Sequence, residues 1–414
     1  MEVHNSIIEN IANPHELERI FRDDPEAFRR SFAKAWDQEP DSPVLAVWNE
    51  RLNYQEVINQ EQSLAKLKKF LLMGGLAILA GISTRLIFHF VESGVIAPVN
   101  LVFGILPFIA AYFIFKNIPA KKIIFTIVLL FVVSGIYLNL LPLESNDGII
   151  QAYLHLPVFL WLLVGLAYVG DGYKTGYKRL EYLRFNGEFC IIYASMAISG
   201  MLLFALTIQL FNILGLDISE FYFKNVILFG AASLAVVAAH LVTRNLKLAR
   251  DIAPSISRIF SPLVLVTLIG YLATVALIGK NPFVDRDFLI VFNGILLVVL
   301  AVTIFSLTAR GKDERRNISD FINYILIVLA LTIDSVALSA VVFRISSYGI
   351  TPNRMAVLGV NILIWINLLG IMLGHLRFLK NQTGLAPVQD AISGYLQFYG
   401  LWAAFVTFAF PLIF

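Results

Sequence analysis

The side chains able to do chemistry in this sequence lie inside or beside long apolar runs. Arg85 stands in GISTRLIFHFVES and Asp334 in LALTIDSVALSA. An ionisable group near a bilayer centre costs on the order of 2.5–3.5 kcal/mol on insertion scales, so it needs a partner or a wet cavity. Arg85 comes about fourteen residues into its run and Asp334 about fifteen into its own. If both runs cross in the same direction, the two opposite charges share one depth, and a salt bridge between them is the first expectation. His89 and Glu92 follow Arg85 at i+4 and i+7, on one helical face. His155, Asn139, Glu144, Gln209 and Asn293 fall near the same level. They predict a polar chamber open at one membrane face. Arg344, Tyr348 and Arg354 would form a positive rim above it. The chemistry expected is binding of an anionic or zwitterionic group, either a small solute or a lipid headgroup, by Arg85, His89, Glu92, His155, Asp334, Arg344, Tyr348 and Arg354. A ligand-free lock between helices and a membrane-embedded catalytic site both stay open.

Other chemistries have no foothold. The sequence carries no phosphate-cradling glycine loop, dinucleotide fingerprint or nucleophile elbow. Its six histidines are scattered, with no pair at metal-ligand spacing. No catalytic residue, metal or cofactor is therefore assigned, and an enzymatic role is the less favoured expectation. The one cysteine, Cys190, excludes an intramolecular disulfide framework. A net charge of +3, with basic residues spread over short loops, does not suggest nucleic acid.

The elements that must position these residues are membrane helices. Of 414 residues, 58% are hydrophobic and 15% charged, and the mean hydropathy is +0.76. A soluble domain is only about 45–50% apolar. Runs such as IIFTIVLLFVVSGIYLNLL approach the length that crosses a hydrocarbon core about 30 Å thick. The expected fold is all-α: a polytopic bundle over 71–414 behind a small cytoplasmic helical cap over 1–70. About eleven spans are expected, at 71–92, 97–115, 122–142, 150–170, 189–212, 223–245, 259–279, 287–308, 319–343, 355–375 and 393–414. With that count about twenty basic residues fall on one side and about five on the other, which predicts a cytoplasmic N-terminus and a periplasmic C-terminus. The polar first forty residues predict no cleavable signal, so the first span would direct its own insertion. The loop stretch GYKTGYKRLEYLRF reads as a basic interfacial segment suited to anionic membrane lipids, or one that only sets topology.

Within the cap, Asn13 and Asp24 are N-cap candidates ahead of Pro14 and Pro25. Phe28, Phe32 and Ala35 share one helical face. The cap can pack against cytoplasmic loops, or residues 14–54 can dock a protein partner through Phe28, Phe32, Trp36 and Trp48.

RISSYGITPNRM has two arginines on the side otherwise poor in them. Gly349 can take the positive φ of a tight turn, Thr351 is a candidate N-cap, and Pro352 can start the next helix. Arg354 would meet the unfavourable end of that helix's dipole, so an acid or an anion is expected nearby. The pattern Arg344, Ile345, Tyr348, Gly349, Thr351, Arg354, with AVLGVNILIWINLLGIM after it, resembles a segment of the domain of unknown function 4153 family of bacterial multi-span membrane proteins. ELERIFRDDPEAFRRSF and VWNERLNYQE resemble the N-terminal regions of some members. The resemblance implies a bacterial inner-membrane location and brings no activity with it. A transporter or lipid-handling permease is the leading expectation. A transferase acting on a lipid-linked substrate and a scaffold acting through the cap are the alternatives. No oligomeric state is implied.

Overall fold

The computed structural model describes residues 2–143, 146–213, 217–244, most of 261–273, 286–308, 318–380 and 383–414. The described residues contain helices and no strand. The chain divides into two compact units, 1–72 and 73–414.

The first unit holds α1 (Glu2–Glu9), α2 (Pro14–Asp23), α3 (Pro25–Gln38) and the beginning of α4 (Pro43–Glu92). Its helices start where side chains can replace missing backbone partners. Asn13 accepts from the Glu16 N–H at 3.4 Å and Asp24 from the Ala27 N–H at 2.9 Å, each ahead of a proline. Ile7, Leu17, Phe28, Phe32, Ala35, Leu45, Trp48 and Leu52 form one buried cluster. Phe28, Phe32 and Trp48, named above as docking residues, fill the unit's own core, and Trp36 is half-buried with its ring stacked on Phe32. Arg51 closes the cluster, its guanidinium 4.5 Å from the Trp48 ring centre and ion-paired to Glu18.

The second unit is built from apolar helices: the end of α4, α5 (Leu106–Asn117), α6 (Lys121–Leu140), α7 (Asp147–Val169), α8 (Gly176–Ile213), α9 (Ser219–Arg244), α10 (Arg286–Thr308), α11 (Ile318–Tyr348), α12 (Pro352–Leu379) and α13 (Ala386–Ile413). A 3₁₀ turn, Pro98–Gly104, precedes α5. Among the described residues nine stretches are long and apolar enough to cross a membrane. The expected span at 259–279 lies largely outside the described residues. That at 287–308 corresponds to α10, of which Leu296–Leu307 is described as apolar helix. Large apolar side chains remain exposed along the helices, Val132 at 51% and Ile136 at 59% among them. Such faces suit hydrocarbon, where an α-helix satisfies its own backbone.

The stretch GYKTGYKRLEYLRF is not an interfacial loop, because α8 begins at Gly176. Its Tyr182 and Phe185 turn inward, stack with Tyr168, and Tyr182 donates to the Trp161 carbonyl at 2.7 Å. Tyr173 and Tyr177 stay exposed. The link between α5 and α6 is only residues 118–120, with Ile118 in the left-handed region at φ 44°. Both helices pack on α7 and scarcely on each other.

Helices α11, α12 and α13 are consecutive, antiparallel neighbours. Ser335 accepts from the Trp365 indole N–H at 3.0 Å, and the rings of Tyr324 and His375 lie 6.1 Å apart. Both contacts put residues whose numbers sum to about 700 opposite each other in α11 and α12. Gly359 of α12 sits under the Trp402 indole of α13, so closely that a Cβ there would come within 2.0 Å of the ring. Without a hydrophobic drive between helices in lipid, such close approach is a main source of association.

Gly359→Ala should destabilise the unit by about 1–3 kcal/mol through overpacking against Trp402. Thermal unfolding in detergent measures this, and Gly359→Ala combined with Trp402→Leu should recover most of the loss. In the first unit, Arg51, and after it Arg22, holds the Glu18 carboxyl at about 2, below the ordinary 4.5. A depressed carboxylate pKa adds stability that is present above 4.5 and lost as pH falls toward 2. Hydrogen exchange of residues 14–52 in the full chain, corrected for intrinsic rates, should weaken across that window. Glu18→Gln should remove part of the weakening.

Candidate functional site

The expected site residues separate into four places. Arg85, His89 and Glu92 do share the last turns of α4, as their spacing predicts, but their partner is α9. At its start α9 widens into a π-turn, Phe223–Ile227. Arg85 donates from Nε to the Asn225 side-chain oxygen at 3.0 Å. Lys224 pairs with both Glu92 and Glu220. π-Turns change which side chains a helix turns toward its neighbour and recur at functional sites. Here the π-turn carries Phe223, Lys224 and Asn225, which meet Phe88, Glu92 and Arg85 of α4. His89 is exposed, with its ring beside Phe90.

The expected Arg85–Asp334 salt bridge is absent among the described residues. Arg85 has the Asn225 amide instead. A shared depth along the membrane normal says nothing about which helices are neighbours.

At the turn between α11 and α12, Arg354 needs no acid. Gly349 has φ 81° and Thr351 caps α12, accepting from the Arg354 N–H at 3.3 Å, as the sequence predicts. That turn aims two carbonyls at the guanidinium. Arg354 donates to the oxygens of Tyr348 at 3.0 Å and Gly349 at 2.6 Å, and lies 5.7 Å from the Tyr348 ring centre. Arg344 is half-buried ten residues beyond Asp334 on α11. Asn353, beside Arg354, accepts from Gln151 of α7 at 3.4 Å, so the turn sits at the end where α7 begins.

His155 bonds through Nδ1 to the Gln151 carbonyl of its own helix at 2.9 Å. Asn139 exchanges side-chain hydrogen bonds with Asn100, at 2.9 and 3.1 Å. Gln209 is exposed and Asn293 half-buried, while Glu144 lies outside the described residues. Among the described residues His155 and Asn139 thus have separate partners. His240, by contrast, joins two helices, with Tyr112 Oη 3.2 Å from its Nδ1 and 3.0 Å from Thr243 Oγ1.

Asp334 is the residue that ordinary packing does not explain. It lies near the midpoint of α11 and is fully buried. Ile327, Ala330, Ala337 and Val341, on its own helical face, are buried with it. Neither carboxylate oxygen has a hydrogen-bond partner among the described residues. The α11–α12 register sets Asp334 opposite residues 365–366. That places Asn367 about 2 Å along the helix in one direction and Asn361 about 7 Å in the other, at 1.5 Å per residue. Asn361 is 1% exposed, and its amide nitrogen and oxygen are both unpartnered among the described residues. Asn367 faces α13 instead: it donates to the Ala391 carbonyl at 3.0 Å and accepts from the Tyr399 hydroxyl at 3.2 Å. The sequence reading, in which Asn361 and Asn367 point to different faces, agrees with this arrangement. The α11–α12 contacts set Asn361 about one helical turn from the level of Asp334. The signal available was the antiparallel turn at Gly349, which fixes which residues of α11 and α12 can meet.

Asp334 and Asn361 are thus each buried with open hydrogen-bonding capacity among the described residues, and a carboxyl is a group that can take up and release a proton or a small cation. Among the described residues no three His, Cys, Asp or Glu side chains gather as metal ligands.

A double-mutant cycle separates the two arrangements. Arg85→Met with Asn225→Leu should show a coupling of about 0.5–2 kcal/mol. Arg85→Met with Asp334→Leu should be additive within about 0.5 kcal/mol in detergent unfolding.

Comparison with known protein families, curated protein sequences and solved structures finds no match.

Proposed function

We propose that this multi-pass membrane protein is a transporter or lipid-handling permease that works through Asp334, taking up and releasing a proton or small cation as it changes conformation. The observation that carries the reading is the fully buried Asp334 carboxyl with both oxygens unpartnered. An isolated carboxylate in an apolar interior is strongly unfavourable and would be held neutral, as the acid. A position kept for stability alone would be better filled by an apolar side chain, since replacing buried charges by well-packed apolar groups is often neutral or stabilising. Ionisable residues inside a membrane bundle accordingly mark ion and substrate pathways.

The nature of the ligand shifts with the geometry. The expected anionic or zwitterionic group needs free positive charge at the rim. Arg85 is engaged by Asn225, Lys224 by Glu92 and Glu220, and Arg354 by two carbonyls and a ring. A proton or cation at Asp334 fits the group better than an anion above it. The charge bias of the loops and the resemblance of RISSYGITPNRM support a bacterial inner membrane, with the N-terminus cytoplasmic and the C-terminus periplasmic.

Asp334→Leu should leave the unfolding free energy unchanged or raise it by about 1–4 kcal/mol. The same variant in proteoliposomes should lose the proton or cation flux that a pH- or cation-sensitive dye reports for the parent under an imposed membrane potential. A large loss of stability in Asp334→Leu, or unchanged flux, would refute the reading.

A further inference from the structure

A second feature of the membrane unit lies away from Asp334 and is independent of it. Helices α5 and α6 are joined by the short link at 118–120 and scarcely touch each other, and the wedge between them is an apolar cavity of about 510 Å³. One wall carries Pro107, Ala111 and Ile114, the other Val128, Val132 and Gly135. Val128 and Val132 are each 51% exposed, so the groove is open along its side rather than sealed within the bundle. From Ile127 to Ile136 it runs along α6 for about 14 Å, at 1.5 Å per residue.

The two ends of the groove differ. Toward Gly135 its wall is Phe103, and the Asn139 amide that donates to the Gly135 carbonyl is paired with Asn100. Toward the link, Lys121 and Lys122 stand exposed in the first turn of α6. They precede Ile127 by about 8–9 Å along the helix, at 1.5 Å per residue. Lysine stems extend along apolar surface while the ammonium reaches polar surroundings. Asp171 is also near, where it accepts from the Ala120 N–H at 3.2 and 3.3 Å. It faces the backbone of the link.

The combination is one long apolar slot, laterally open, with two cations about a glycerol-backbone length beyond its mouth. We propose that the α5–α6 wedge is a binding site for an anionic phospholipid, with one acyl chain in the groove and the phosphate on Lys121 and Lys122. A detergent-like or neutral hydrocarbon chain would use the groove and ignore the lysines. A second copy of this chain docked by the same groove would bring its own Lys121 and Lys122 against the first pair, a like-charge clash. The phospholipid satisfies both ends of the site.

Native mass spectrometry of the full chain tests this, with phosphatidylglycerol and phosphatidylethanolamine of identical acyl chains as competing probes. The expected result is retention of one phosphatidylglycerol in preference to phosphatidylethanolamine. Lys121→Gln with Lys122→Gln should cut that preference by about tenfold or more, since each surface lysine is worth roughly fivefold toward anionic lipid. Gly135→Leu should reduce retention of both lipids alike. The fold has room for it, because a Cβ at Gly135 meets only the Phe103 ring, at 3.7 Å. Equal retention of the two lipids by the parent, or an unchanged preference in the lysine variant, overturns the proposal. So does a doubled mass that disappears in Gly135→Leu, which would give the groove to a second copy. If Gly135→Leu fails to insert, the lysine variant alone decides.

Discussion

Hydrocarbon offers no hydrogen bonds, and the arrangement of this bundle follows from that. Backbone groups are satisfied within each helix, and most polar side chains inside the spans are quieted the same way. Ser195, Ser199, Thr207, Thr332, Ser335 and Ser339 each donate to the carbonyl four residues back. Tyr137, Tyr182 and Tyr193 donate to carbonyls on other helices, and Asn100 and Asn139 satisfy each other. Among the described buried side chains left without a partner, which include Thr84, Ser134, Thr303 and Thr407, Asp334 is the one carboxylate and Asn361 has both amide atoms open.

The same constraint explains where cations were placed. A guanidinium near the membrane does not require a carboxylate if the backbone can turn oxygens toward it. The Gly349 turn does this for Arg354, and the π-turn of α9 brings an amide to Arg85 and an ammonium to Glu92. Arg85, Lys224 and Arg354 are thus each satisfied by their own neighbours rather than within one shared site.

Local features were legible in the sequence because their causes are local. The caps at Asn13, Asp24 and Thr351, the positive φ at Gly349, the buried face of α3 and most of the spans follow from residue type and spacing. The place of Asp334 within a long apolar helix was legible for the same reason. Which helix lies beside which was not, since apolar runs facing lipid and apolar runs facing protein look alike. Tyr182 and Phe185 illustrate it: among lysines and arginines they read as an interfacial belt, yet they are buried. The contacts of Gly359 with Trp402 and of Ser335 with Trp365 depend on helix rotation, which a nearly uniform apolar pattern does not specify.

The link of residues 118–120 has a kinetic meaning. A β-branched residue held in the left-handed region, next to Pro119, leaves α5 and α6 few ways to swing toward each other. The gap between them therefore exists before anything enters it. A guest in a preformed slot spends little on reorganising its host, so its exchange with the surrounding bilayer would be governed by how slowly it leaves rather than by how rarely the slot opens.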